Sequence, residues 1–392
     1  MLATFLLLGG CAQRESDAGD SAIPVAPDGH EGRTLIPASR SAEWDADFST
    51  GRGQYLQIGH TASYTAVSAL RFQPSDILPD SFTLDTARIR FRVDRVYPNP
   101  QDAPDLRMLI RSITSPWDED SLNEGVFADR ASYPVIDTLL LPTEAATDTA
   151  NIPTAYWMVP DSIWRNWLLD DSLNYGILLE PENDGMIVGV QTAEGATNYA
   201  VQLEIIGKQY PESLEFAATE WSDTLFAQDD GYVAVDSSDS LSGRLRVAQG
   251  VYRRALLYFP LDSVTANPLR TVVRAWLHFY ADVNASNSVV YEGSNFVYKD
   301  ATLQDTTWFA ASDSAKLNLI AASSTIFSAD NRELAFEVTN SLAGIVGVPS
   351  TNGGFAVEAT FESDVLSRQY FHGHDSEVDS LRPVLEIWWV EP

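Results

Sequence analysis

Alternation of apolar and polar positions is the strongest pattern along the chain. From Thr86 to Val93, Ile89, Phe91 and Val93 fall on one side of an extended segment, and Arg88, Arg90 and Arg92 fall on the other. A period of two with one charged face predicts a half-buried antiparallel strand. Residues 275–280 repeat the pattern, with Leu277 and Phe279 inward and Trp276, His278 and Tyr280 outward. Shorter runs predict strands at 55–59, 67–72, 106–111, 177–180, 186–190 and 200–206. A second series is expected at 243–247, 255–259, 289–291, 334–338, 355–358 and 384–389. The strand at 106–111 is expected beside that at 86–93, so Arg107 and Arg111 would extend the arginine stripe. One segment predicts a short helix: Asp161 or Ser162 caps a turn that sets Ile163, Trp164, Trp167 and Leu168 toward a core.

The pattern is written twice. Asn174-Tyr175-Gly176-Ile177-Leu178-Leu179-Glu180 recurs as Asn352-Gly353-Gly354-Phe355-Ala356-Val357-Glu358, with Asn, Gly and Glu in step. Ala87-Arg88-Ile89-Arg90-Phe91 matches Ala275-Trp276-Leu277-His278-Phe279, and Leu203-Glu204-Ile205 matches Leu385-Glu386-Ile387. Three matches in one order mean an internal duplication of a domain-sized unit. Many short strands, turn signals between them and scarcely a helix predict an all-β chain of two tandem antiparallel β-sandwich, jelly-roll-like domains. The expected boundaries are 42–208 and 213–392, with a hinge at 209–212 containing Pro211.

Before the first domain, residues 1–11 read as a lipoprotein signal. Leu2 to Leu8 is an apolar run too short to span a bilayer, and it ends in Leu8-Gly9-Gly10-Cys11. Leucine, two small residues and the chain's only cysteine resemble a bacterial lipobox, which implies a lipid on Cys11 and a place in the cell envelope, on the outer membrane or cell surface. Residues 12–41, rich in Ala, Ser, Asp, Gly and Pro, are expected to form a flexible tether.

Charge narrows the partners. Twenty-five basic residues against 55 acidic ones give a net charge of −30. Such a field repels nucleic acid and anionic membrane surfaces, so the membrane is met through the lipid alone.

Several segments resemble the family of DNRLRE domains. Ser68-Ala69-Leu70-Arg71-Phe72 and Arg253-Arg254-Ala255-Leu256-Leu257-Tyr258-Phe259 are similar to its R-x-L-L-x-F strand. Trp117-Asp118-Glu119-Asp120-Ser121-Leu122 is similar to its W-x-E segment. Val159 to Trp167 and Val338 to Leu342 resemble its V-T-x-x-V-x-x-W turn, and Arg382-Pro383-Val384-Leu385-Glu386-Ile387 its closing strand. The resemblance implies jelly rolls on secreted or surface proteins, some of them carbohydrate-binding modules.

The candidate chemistry is that of binding. Arg88, Arg90 and Arg92, with Arg107 and Arg111, could hold the carboxylates or sulfates of an acidic polysaccharide, or simply pair with neighbouring acids. Trp276, His278 and Tyr280 would stack on sugar rings if their face is open, or pack beneath a loop or the other domain. His372-Gly373-His374-Asp375 falls short of a closed zinc site and reads as a surface loop. The segment 282–287 starts like a calcium loop, but Gly293 stands where the bidentate Glu belongs. No cofactor is implied; calcium suits the carboxylate density, but no spacing places it. Hydrolase, metalloprotease and phosphate-loop motifs are absent. The expectation is a non-catalytic, lipid-anchored surface protein that binds glycans or adheres. The alternatives are a surface spacer or a polysaccharide-degrading enzyme acting through two carboxylates.

Overall fold

A computed structural model describes residues 30–392 apart from 46–48, 52, 75–76, 80, 98–104, 124, 144–151, 170–173, 196–198, 211–216, 239, 286–294, 302–316, 327–331 and 361–365. The lipobox with Cys11, residues 12–29, the strand expected at 289–291 and the centre of the expected hinge lie outside the described residues. Strands dominate, as expected, and every strand pair is antiparallel.

The chain begins with β1 (His30–Pro37) and β2 (Arg40–Asp45). β3 (Tyr55–His60), β4 (Tyr64–Arg71), β5 (Phe82–Tyr97), β6 (Leu106–Ser112), β7 (Val135–Leu141) and β8 (Thr154–Met158) follow. Helix α1 (Asp161–Leu169) leads to β9 (Ile177–Pro181), β10 (Met186–Gln191) and β11 (Gln202–Gln209). The second half opens with β12 (Thr219–Phe226), β13 (Asp229–Asp236), β14 (Arg244–Gln249) and β15 (Arg253–Tyr258). The short α2 (Asp262–Thr265) precedes β16 (Thr271–Tyr280), β17 (Asn295–Ala301), β18 (Leu317–Ile326) and β19 (Glu333–Glu337). Helix α3 (Thr339–Gly347), β20 (Phe355–Ala359), β21 (Ser367–His372) and β22 (Val384–Glu391) end it.

The alternation does what it predicts. On β5, Ile89, Phe91 and Val93 are fully buried while Arg88, Arg90 and Arg92 face outward. β3 and β4 are buried along most of their length because neighbouring layers cover both faces. Sixteen-residue β5 belongs to two layers: its first part pairs with β11 and β8, and its last part pairs with β10 across a bulge at Gly189/Val190. Such a bulge bends a strand and lets one sheet curl over its own core. In the second unit β16 stops at Tyr280, and a single bridge, Ala281 to Phe371, joins it to β21. Trp164 and Trp167 of α1 enter the core as expected, but Leu168 stays 37% exposed. Helix α3, which the strand pattern did not suggest, occupies the equivalent place in the second unit.

The repeated Asn-x-Gly motif has one structural job in both copies. Asn174 Nδ2 donates to the Phe72 carbonyl at 2.7 Å, and Asn352 Nδ2 donates to the Phe259 carbonyl at 3.0 Å. Gly176 and Gly354 take φ of 79° and 84°. A Cβ there would meet the Leu70 and Leu257 carbonyl oxygens at 2.1 and 2.2 Å. Only glycine combines that backbone with that approach.

The units are not the two contiguous blocks expected. In the first, the outer sheet runs β12-β11-β5 with β8 on β5, and the inner layer runs β10-β3-β4-β9-β6-β7 with β13 on β4. In the second, the outer sheet is β1-β22-β16-β19, and the inner layer is β18-β17-β20-β15-β14-β21 with β2 on β15. Strand for strand these are the same fold, but each repeat's two opening strands complete the other repeat, one in each layer. β1 pairs with β22 over eight residues, as β12 pairs with β11. β2 lies on β15 as β13 lies on β4. Even the corners match: Ser39 N–H donates to the Tyr258 carbonyl, and Gln228 N–H donates to the Arg71 carbonyl.

Residues 30–41 are therefore largely strand rather than tether, and Gln209 ends β11 rather than opening a hinge. Tandem duplication predicts contiguous blocks because sequence shows local order; the pairing that decides the boundary is non-local.

A second expectation also changes. β6 pairs with β9 and β7 in the inner layer, not with β5. The chain crosses between layers after Tyr97, so Arg107 and Arg111 do not extend the arginine stripe.

Candidate binding faces on the outer sheets

In the first unit, Arg88, Arg90 and Arg92 come together on β5 as expected, and the strands on either side answer them. Glu204 of β11 accepts from Arg88 Nε at 2.7 Å and stands 3.1 Å from Arg90 Nη1. Arg90 also donates to Gln202 Oε1. The Arg88 guanidinium lies 4.4 Å from the centre of the Tyr156 ring, and that of Arg92 lies 5.4 Å from Tyr199. The stripe is thus largely answered from within, which limits what it offers an anionic ligand. The exposed large apolar and aromatic side chains of this face include Tyr156, Met158, Ile206 and Phe226.

Arg107 and Arg111 stand apart. Arg107 is paired at the surface with Glu182 at 3.0 Å. Arg111 is mostly buried, donating to Glu180 at 2.6 Å and to the Tyr133 carbonyl at 2.8 Å.

In the second unit, the equivalent positions build a different surface. Leu277 and Phe279 are fully buried, while Trp276, His278 and Tyr280 are half-buried and point outward. Strand register extends them into rows. Arg33, Trp388 and Arg274 stand side by side across β1, β22 and β16. Leu35, Glu386, Trp276 and Glu337 make the next row, across all four strands. Trp388 is 39% exposed and Leu35 is 55% exposed. No layer is stacked over this face among the described residues.

Glu386 ties the face together. It accepts from Arg33 Nε at 2.6 Å and Trp388 Nε1 at 2.9 Å, and it faces His278 Nε2 at 3.1 Å. The other ring nitrogen of His278 meets Glu333. Burial alone would raise the Glu386 carboxyl, but the hydrogen bond and charge of Arg33, with His278 and Trp388, hold it below the usual carboxylate range. Burial, then the Glu333 carboxylate, raises the Tyr280 phenol, which stays a neutral donor. Guanidinium groups lie over two of the indoles: Arg274 is 4.9 Å from Trp276 and Arg33 is 5.5 Å from Trp388. The result is a platform of aromatic faces studded with fixed donors and acceptors.

Sequence reasoning found the centre of this platform and missed its rim. Trp388 was available from the alternation of Leu385 and Ile387 on β22. Arg33 and Leu35 were not, because nothing local ties residues 30–37 to the last strand.

The other segments singled out in the sequence are structural. His372 is buried in β21, 2.9 Å from Ser376 Oγ, and is not part of an exposed loop. His374 Nδ1 meets Ser41 Oγ at 2.8 Å and helps hold β2 in place. Asp282 accepts from Arg244 Nε at 2.6 Å. No helix among the described residues is long and apolar enough to cross a membrane.

No family model and no curated protein matches the chain. Among solved structures, it has a faint likeness to the "Structure of infectious bursal disease virus Gx strain", at 10% identity over 94% of this chain and 77% of that one. The TM-score of 0.10 carries no argument about fold or function.

Proposed function

We propose that the chain is a non-catalytic glycan-binding protein of the cell envelope, held to the membrane by a lipid on Cys11. The second unit's outer face would be the main binding surface. One observation supports this above the rest: two indoles and a phenol, Trp276, Trp388 and Tyr280, share one outward sheet face whose polar groups are already fixed. Sugar rings present C–H faces that stack on aromatics and hydroxyls that take fixed donors and acceptors. Arg88 and Arg90 of the first unit are answered by Glu204, so neutral sugars fit the molecule better than strongly anionic ones. The resemblance to DNRLRE domains points the same way. A surface spacer is the second reading, favoured by the exchanged opening strands that tie each repeat to the other.

Titrating neutral and acidic oligosaccharides against the protein tests this. Trp276→Ala and Trp388→Ala should each weaken a neutral oligosaccharide about tenfold or more. Salt should change that affinity little, because stacking is not screened. Unchanged affinity in both folded variants would move the site elsewhere, and no binding at all would favour the spacer.

A further inference from the structure

Away from both outer faces, a cavity opens on the far side of the first unit's inner layer. There Val67 and Ala69 of β4 and Val233 of β13 pack against Trp117, Leu122 and Phe127, from the segment that follows β6. Register sets Val67 beside Val233 and Thr65 beside Val235, so the four share one face. The covering segment advances in tight turns, with Ala128 N–H donating to the Gly125 carbonyl and Arg130 N–H to the Phe127 carbonyl. Between those turns and the strands lies a space of about 220 Å³, whose lining includes Thr65, Val67, Phe127, Arg130, Val233 and Val235. An apolar cavity of about 150 Å³ admits benzene, so a ring or a short branched chain has room here.

The second copy lacks this space. Pairing with β9 and β20 makes Ser68 equivalent to Ala255, so Val67 corresponds to Arg254. Their partners across the strands correspond too, Val233 to Trp44. In the second unit both places are filled by large buried side chains, with the Arg254 guanidinium 5.4 Å from the Trp44 ring and Arg254 Nε 2.9 Å from Glu358. In the first unit two valines stand there instead. The equivalent glutamate, Glu180, is held by Arg111 Nε at 2.6 Å and Arg130 Nε at 3.1 Å. Two guanidinium groups sharing one carboxylate leave a positive charge in excess beside the cavity. Arg130 Nη1 donates to the Phe127 carbonyl at 3.3 Å, and its Nη2 makes no hydrogen bond to any described residue. Thr65 Oγ1, 3.2 Å from His60 Nδ1, adds a hydroxyl to the wall.

We propose that this cavity binds a small monocarboxylate. Its apolar body lies against Val67, Val233, Val235 and Phe127, and its carboxylate takes the unused Nη2 of Arg130. Valine and phenylalanine walls disfavour a sugar or a hydrated cation, which would lose water without replacement. The surplus guanidinium charge selects an anion over its neutral counterpart. The chain's net charge of −30 opposes anions at long range, where salt screens it, whereas Arg130 acts at contact. One wall comes from β4 of the first repeat and the other from β13 of the second, so the site depends on the exchange of opening strands.

The test is isothermal titration of the full chain with phenylacetate, and with phenylacetamide as its uncharged counterpart. Phenylacetate should bind with a Kd of about 1 mM or below, and phenylacetamide about tenfold more weakly or worse. Arg130→Gln should reduce phenylacetate to the level of the amide, while Glu180 keeps Arg111 and the fold holds. Val233→Trp, which copies the residue at the equivalent position of the second unit, should abolish binding of both. Because Val233 is buried, Val235→Phe, at a half-buried position, obstructs the cavity without placing a new ring in the core. N-acetylphenylalanine distinguishes the sources of the carboxylate: tighter binding than phenylacetate supports a peptide end, and weaker binding supports a free acid. No heat with phenylacetate at about 10 mM, equal affinity for acid and amide, or binding that survives both cavity-filling variants would overturn the proposal.

Discussion

Removing residues 30–45 should abolish cooperative unfolding of the second unit while the first keeps its transition. The deleted segment supplies an edge strand to each layer of that unit. It also carries Ile36 and Trp44, both at least nine-tenths buried, whose burial contributes about 2–3 kcal/mol each. Glu43 goes with them. It accepts from Arg246 Nη2 at 2.7 Å and Nε at 2.9 Å, and the Arg246 side chain is only 7% exposed. An arginine stripped of most of its counter-charge at that depth costs about 3–5 kcal/mol. Together these losses are of the order of a domain's whole stability, about 5–15 kcal/mol. Calorimetry should show one transition where the full chain shows two, or one larger one. The peptide 30–45 added in trans should restore the missing heat.

The second large effect is expected at Asp236, the last residue of β13. Its side chain is 2% exposed and accepts from Arg368, which is fully buried on β21 of the other unit. Arg246 and Arg253 approach its second oxygen at 3.9 Å each. Asp236→Ala removes a carboxylate from the fully buried Arg368, whose guanidinium also lies 5.1 and 5.7 Å from the Tyr64 and Tyr370 rings. We expect a loss of about 3–5 kcal/mol in urea unfolding. The double variant Asp236→Ala, Arg368→Met should recover most of it, since it removes the buried charge together with its counter-charge and refills the volume. Equal losses in the single and double variants would mean that packing, not charge, holds this junction.

These two sites also show what sequence could and could not tell. The alternation on β5 and β16 placed Leu277 and Phe279 inside and Trp276 outside because strand periodicity is local. The Asn-x-Gly repeat exposed the duplication for a local reason too, since Gly176 and Gly354 each answer a carbonyl at fixed reach. Which opening strands complete which core is different. Residues 30–45 and 219–236 are equally compatible, by composition, with either body. Arg107 failed as part of the stripe because layer crossing after β5 leaves no local mark.

Disulfide trapping reads the exchange of opening strands between the repeats directly. In a Cys11→Ser background, no other cysteine remains. Arg33 stands directly opposite Trp388, and Ser222 stands directly opposite Ile206. Facing residues on antiparallel strands have Cα atoms about 4.5–5.5 Å apart, within disulfide reach. Paired Arg33→Cys and Trp388→Cys should therefore close a bond within one chain under mild oxidation, as should Ser222→Cys with Ile206→Cys. Arg33→Cys with Ile206→Cys would join β1 to its own repeat, and it should remain reduced. Ready closure of that last pair, with the first staying open, would contradict the exchange and return each repeat to its own opening strands.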